Sequence, residues 1–145
     1  MAIHKNYLPS FSESHEEIIK SIILPNQNKI FHIFAEKITH DAKEDEKRKR
    51  IFLANTGKII AEHCQKLHDL LSSEKNKTQE DINLIQLVKE IIDMDYQSVA
   101  KFFQLLLSFS NHLWENDAKI HLEAIITGFE TLRSKSEKHT TVVSK

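Results

Sequence analysis

The chain has 145 residues, a net charge of -1, and 40% hydrophobic and 28% charged residues. This composition is typical of one globular domain, and the near-neutral charge disfavours nucleic acid or an anionic membrane as a partner. Glu13, Glu16 and Glu17 interrupt any signal peptide, no apolar run approaches the roughly 20 residues of a membrane span, and Cys64 has no second cysteine to bond. We therefore expect one cytoplasmic domain over residues 1–145, with export by a non-classical secretion system as an open alternative.

Two glycines and two prolines are few for a chain of this length, which favours an all-α fold. We predict a single-domain bundle of five to six helices, mostly antiparallel. The first helix is expected from Ser12 or Ser14 to Leu24, where Pro25 ends it. The second starts near Asn26, and its apolar residues cluster within an arc of about 160°. These residues are Ile30, Phe31, Ile33, Phe34 and Ile38.

The charged segment 41–50 reads DAKEDEKRKR and is interpreted either as an exposed helical extension or as a polar corner. A third helix with a long apolar stripe, from Phe52 to Leu71, is expected to be a central packing element. Gly57 lies inside this helix, where glycine costs about 1 kcal/mol relative to alanine. Its presence predicts either the close approach of a neighbouring helix or a bend, and a bundle favours the close approach.

Residues 72–78 are predicted to form a polar loop, and Thr78 with Asp81 a capping pair for a fourth helix that ends near Ile92. The fifth helix, 96–114, is so apolar that we expect it to be buried nearly all round, with any uncovered side serving as an interface. The last helix is predicted over 117–133. We expect flexible ends over about 1–9 and about 135–145.

Nine histidines stand out in the composition. His32 and Glu36 are four residues apart, His63 and His68 share the third helix, and His112 precedes Asp117 by five residues. In a helical bundle this set resembles the haemerythrin family, in which histidines and carboxylates hold two irons, and His15 matches an early histidine of that family. The resemblance implies a di-iron protein that binds oxygen or iron, with the ligands His15, His32, Glu36, His63, His68, His112 and Asp117.

The 100° step of an α-helix gives a different expectation for the same histidines. It turns His32, Glu36 and His112 away from the apolar faces, whereas His15 and His63 lie within them. The alternative interpretation of these last two is a half-buried imidazole that donates to a backbone carbonyl.

Two further candidates for chemistry are an arginine–histidine pair and the single cysteine. Arg133 and His139 have the interval of the arginine–histidine pair of a small helical ribonuclease, which is a second enzymatic alternative. Cys64 lies on an apolar stripe and is expected to be an inert, buried thiol. Neither a zinc-site spacing nor a glycine-rich phosphate loop occurs in the sequence, so we expect no cofactor and no evident small-molecule substrate.

The function that remains is a non-enzymatic module for protein–protein interaction, acting as an adaptor, a regulator or a delivered effector. Its partner is expected to be another protein or a second copy covering the excess apolar surface of the fifth helix. Many isoleucines, lysines and asparagines suggest a bacterial source by association. The expected surface consists of an aromatic part beside the end of the fifth helix and an arginine part in the charged segment. Its residues are Trp114, Phe109, Arg48 and Arg50.

Overall fold

The structure is a computed structural model that describes residues 15–71 and 82–143, with side chains over 15–71 and 83–135. The described residues are almost entirely helical and contain no strand, which confirms the predicted all-α fold. The helices are α1 (His15–Ile18), α2 (Gln27–Lys47), α3 (Ile51–Leu71), α4 (Ile82–Ile92), α5 (Tyr96–Ser110) and α6 (Asn116–Val143). The expected flexible N-terminus, the loop 72–78 and its capping pair lie outside the described residues.

The first helix leads into the second through two irregular turns. A π-helical turn, Ile19–Ile23, follows α1, and a 3-10 turn, Leu24–Asn26, leads into α2. Pro25 lies within the 3-10 turn, and α1 itself ends at Ile18, earlier than the predicted end at Leu24. Ile18, Ile19 and Ile23 are fully buried. This short segment is therefore held by packing rather than by its own length.

Helices α2 and α3 form an antiparallel hairpin. The predicted apolar arc of α2 is buried along its whole length, from Ile30 to Ile38. The charged segment combines both interpretations, since it is helical up to Lys47 and then turns over residues 48–50. Lys49 adopts a φ of 62°, the left-handed conformation that commonly ends a helix. The corner explains why α3 runs back along α2.

Glycines mark the closest contacts of α3. A Cβ atom added at Gly57 would lie 3.2 Å from the Cβ of Ala42 on α2, which confirms the predicted close approach. Three residues further along α3, the Ile60 side chain fills the space beside Gly128 of α6. Helix α3 is therefore packed between α2 and α6, as its apolar stripe predicted.

The ends of α5 and α6 differ from the predictions. Helix α5 ends at Ser110, and residues 111–115 form a turn in which the Trp114 N–H donates to the Ser110 carbonyl at 3.0 Å. Helix α6 continues to Val143, so the predicted end of the last helix at 133 is too early by ten residues. That stretch contains neither glycine nor proline, and nothing in it stops a helix.

Aromatic rings connect the helices in the core. The Phe103 ring of α5 stacks on Phe129 of α6 at a centroid distance of 5.7 Å and meets Phe34 of α2 edge-on at 5.2 Å. Phe31 meets Trp114 at 5.7 Å. Aromatic pairs at such distances stabilise the fold by more than their buried area alone accounts for.

Among the described helices, none is long and apolar enough to cross a membrane.

Candidate functional site

The histidines of the di-iron hypothesis occupy separate places. His15 lies on α1, where its ring meets Phe102 edge-on at 5.5 Å. His32 Nε2 lies 3.5 Å from Glu36 Oε2, and the His32 and His68 ring centroids are 5.4 Å apart. Burial lowers the pKa of His68, and a charged His32 would lower it further. The His32–His68 pair joins α2 to α3 near the surface rather than at the centre of the bundle.

His63 forms a different pair. Its Nδ1 atom lies 2.9 Å from Nδ1 of His121 on α6, so one ring donates a hydrogen bond to the other. The backbone carbonyl expected as its partner is replaced by an imidazole. Burial lowers the pKa of His63, and the charges of His121 and Lys66 act in the same direction. Sequence reasoning missed His121, because the register between α3 and α6 has no signature in the sequence.

The remaining candidate ligands, His112 and Asp117, are exposed near the start of α6. Within the described side chains, no three His, Cys, Asp or Glu residues form a group that could hold a metal ion. The ligand set implied by the resemblance is therefore not brought together. The ligands stay apart because the two histidines of α3 point in different directions, His63 toward α6 and His68 toward α2.

The ribonuclease alternative rests on Arg133 and His139. Arg133 is half-buried on α6, whereas the side chain of His139 lies outside the described residues. The pair stays a prediction from spacing.

The aromatic part of the expected surface lies mostly in the interior. Trp114 is 6% exposed, and its Nε1 donates to Gln27 Oε1 at 2.8 Å, so this side chain does not form part of an exposed aromatic surface. The turn after Ser110 folds the indole back onto α2. Phe109 is half-buried, and Lys20 Nζ lies 5.0 Å from the centre of its ring.

Helix five also has less uncovered apolar surface than predicted. Phe102, Phe103 and Leu106 are fully buried against the other helices. Among the described residues, four of the exposed large apolar side chains lie on α3, at 51, 52, 59 and 70, and one on α6, at 120. The excess apolar surface therefore belongs to α3 and α6 rather than to α5.

Three of the four exposed large apolar residues of α3 follow one line. Phe52, Ile59 and Leu70 are 41%, 56% and 51% exposed. Intervals of seven and eleven residues return to within about 20° of the same direction on a helix. Ile120, 57% exposed, lies on the neighbouring helix. We call these four residues the α3–α6 face; the His63–His121 pair lies within it.

A cavity of about 520 Å³ lies where α2, α3, α6 and the connection between α4 and α5 meet. Its apolar floor includes Leu53, Ile60, Ile92, Met94, Phe129 and Leu132. Its rim carries the carboxylates Asp41, Glu44, Asp45, Asp93 and Asp95. We call it the acidic-rim cavity. It was not anticipated from the sequence, because its residues come from four separate segments.

The arginine part of the expected surface adjoins this cavity. Arg48 lines it, and Arg50 Nη1 lies 3.6 Å from Asp45 Oδ1. Burial raises the pKa of the Asp45 carboxyl, and Arg50 opposes that rise. Both arginines are exposed. The charged segment therefore supplies acidic as well as basic groups to one place.

Comparison of the chain with protein-family models, with curated proteins and with solved structures gives no match.

Proposed function

We propose that this chain is a non-enzymatic helical module for protein–protein interaction, an adaptor or regulator, that pairs with a second copy of itself through the α3–α6 face. The observation that supports the proposal is the exposed apolar line of Phe52, Ile59 and Leu70. It runs for about 27 Å along α3 at roughly 1.5 Å per residue. Several large apolar side chains exposed along one line of a folded surface favour a contact site.

The spacing of this line suits a second copy in the opposite direction. Phe52 and Leu70 lie nine residues on either side of position 61, and Ile59 and His63 lie two residues on either side. When α3 meets an antiparallel copy about that point, Phe52 faces Leu70 and Ile59 faces His63. Such a two-fold contact is self-complementary, as closed symmetric dimers require.

The polar groups within the face are compatible with this contact. His63 and His121 are already hydrogen-bonded to each other, so covering the face leaves neither ring nitrogen of that contact without its partner. Lys66 is exposed beside the line, and its aliphatic stem can pack while its ammonium stays in water. The net charge of -1 adds little repulsion between copies.

Sedimentation equilibrium over a range of protein concentrations tests the pairing. We expect the chain to approach twice its 16.9 kDa mass, and Ile59→Lys to stay at one mass with unchanged helical circular dichroism. Leu113→Lys is the matched control, because Leu113 is 64% exposed but lies in the turn before α6. A wild-type chain that stays monomeric at about 1 mM, the weak limit for a specific contact, contradicts the pairing. Equal loss of the dimer in Ile59→Lys and Leu113→Lys would show that the contact does not lie at the α3–α6 face.

A cytoplasmic location belongs to the same proposal. Cys64 is a free thiol with no exposed surface, and a chain without disulfides suits a reducing compartment. Fractionation of cells that express the tagged chain tests this, and recovery mainly outside the cytoplasm would overturn it.

A further inference from the structure

We propose that the acidic-rim cavity binds a small organic amine, with the ammonium group at the rim carboxylates and an apolar body against the floor. The cavity is separate from the α3–α6 face, because none of the four residues of that face lines it. This inference therefore does not depend on whether the chain pairs with a second copy.

The size and the floor of the cavity suit a small ligand. Its volume of about 520 Å³ falls within the range of ligand pockets, roughly 300–1,000 Å³. Ile60, Phe129 and Leu132 are at most 4% exposed, so the floor consists of core side chains held in place by packing. The half-buried side chains of the floor, Leu53, Ile92 and Met94, supply the hydrocarbon surface that an apolar body would cover.

The rim selects the sign of the ligand's charge. Five carboxylates and one guanidinium, that of Arg48, line the cavity. The other cations that pair with these carboxylates, Lys37, Lys47 and Arg50, do not line it. At the lining an ammonium group would meet five carboxylates, four of them already paired with a lysine or arginine, whereas an anionic ligand would meet one guanidinium.

An ammonium group of the chain itself already uses part of this rim. Lys37 Nζ donates to Asp41 Oδ1 at 3.0 Å and lies 3.3 Å from Asp93 Oδ1. Burial alone would lower the pKa of Lys37, yet the hydrogen bond to Asp41 and the charges of both carboxylates outweigh it and raise the pKa. The rim thus stabilises a positive amine that is only 18% exposed.

Tyr96 also lines the cavity, and the negative charges of the rim carboxylates act on its phenol. Burial raises the pKa of its phenol, and the negative charges of Asp45 and Asp41 raise it further. A neutral phenol is available at neutral pH to accept a hydrogen bond from an ammonium group. The cavity therefore offers both a charge complement and a neutral acceptor.

The test compares three ligands with the same six-carbon body: hexylamine, hexan-1-ol and hexanoate. Each is titrated into the full chain by calorimetry, with backbone amide NMR shifts to locate the site. We expect saturable binding of hexylamine at least about fivefold tighter than of hexanol, and no saturation by hexanoate at about 10 mM. Shifts should concentrate around Tyr96 and Phe129. Equal affinity of the three ligands, no saturation by hexylamine, or shifts away from the cavity overturns the proposal.

Variants separate local charge from overall charge. Asp45→Asn should weaken hexylamine binding about three- to tenfold and leave hexanol binding unchanged. Glu46→Gln is the matched control: Glu46 is the next residue of α2, is also ion-paired, to Lys58 at 2.9 Å, and does not line the cavity. It should change affinity less than twofold. Met94→Trp, which fills the cavity from its edge, should abolish binding of both ligands. Equal effects of Asp45→Asn and Glu46→Gln contradict recognition by the rim.

Discussion

Gly128 determines how closely α6 approaches α3. A Cβ atom placed there would overlap Ile60, reaching 2.8 Å from its Cδ1, and Ile60 is 1% exposed and cannot move aside freely. Overpacking of a core costs about 1–3 kcal/mol, against a gain of about 1 kcal/mol from the helix preference of alanine. We therefore predict that Gly128→Ala lowers the free energy of unfolding by about 1 kcal/mol in urea titrations.

A double-mutant cycle provides the control for this prediction. In an Ile60→Ala background the clashing Cγ1 and Cδ1 atoms are absent, and the remaining Cβ is 3.9 Å away, an ordinary contact. Gly128→Ala should then be neutral or stabilising. A similar loss in both backgrounds would show that the Ile60 contact is not the cause.

The His63–His121 pair predicts a pH dependence of stability. Burial, followed by the charge of His121, lowers the pKa of His63 in the folded chain, so between that pKa and about 6.5 the unfolded chain binds more protons. The free energy of unfolding must therefore fall as pH drops through this window and level off below the folded pKa. The same sign holds for His68, whose pKa is also lowered. Urea midpoints between pH 7.5 and pH 5 measure the fall.

Substitutions identify which histidines carry this dependence. His63→Gln removes one titrating ring and should reduce the fall in the urea midpoint below pH 6.5. His112→Gln removes an exposed histidine and should leave the fall unchanged. Identical curves for both variants would assign the dependence to other groups.

Helix α5 depends on a cap that lies just before it. Asp95 accepts a hydrogen bond from the Ser98 backbone N–H at 2.7 Å and another from its hydroxyl at 3.1 Å. These bonds hold the pKa of Asp95 below its usual value, so the stabilisation is present at neutral pH and disappears as pH falls through that lowered pKa.

We predict that Asp95→Ala lowers the melting temperature by about 3 °C at pH 7 and by less in strong acid. Asp95→Asn, which can still accept the bond to the backbone, should cost much less at pH 7. Thermal circular dichroism at pH 7 and pH 2.5 distinguishes the two. Equal losses from alanine and asparagine would mean that the side-chain acceptor does not stabilise the helix.

Helices whose apolar residues recur with the period of an α-helix could be predicted from the sequence. The positions of their ends could not. The apolar arc of α2 and the glycine contact at Gly57 follow from the 100° step and from the size of one side chain. The end of α5 was missed because Trp114 continues the apolar run, although it packs from a turn. The predicted end of α6 is too early because the apolar stripe ends near residue 133, whereas helix-forming residues continue beyond it.

The candidate sites were harder to predict than the helices. The apolar stripe predicted from Phe52 to Leu71 includes Ile59 and Leu70, which the structure leaves exposed. A helix with so wide an apolar surface cannot bury all of it between two neighbours. His121 and the acidic-rim cavity depend on contacts between helices far apart in sequence. Periodicity within one helix contains no information about the register of another, so these features required the folded structure.

At the scale of the whole molecule, α3 is shared by the hairpin with α2, the contact with α6 and the exposed apolar face. One side packs Gly57 against α2, another packs Ile60 against α6, and a third presents Ile59 to solvent. Cys64 lies within its buried surface, and burial raises the pKa of its thiol far above the usual range. The thiol should therefore react with a maleimide after global unfolding, not in the folded state.

This coupling makes the labelling rate of Cys64 a probe of pairing. When reclosing is faster than labelling, the rate follows the unfolded fraction, and a partner that binds the folded state lowers that fraction. If a dimer dominates, the unfolded fraction scales with the inverse square root of concentration, so a tenfold increase in protein should slow labelling about threefold. Ile59→Lys should remove this concentration dependence, whereas Leu113→Lys should keep it. A labelling rate independent of concentration in the wild-type chain would mean that folding and pairing are not coupled through α3.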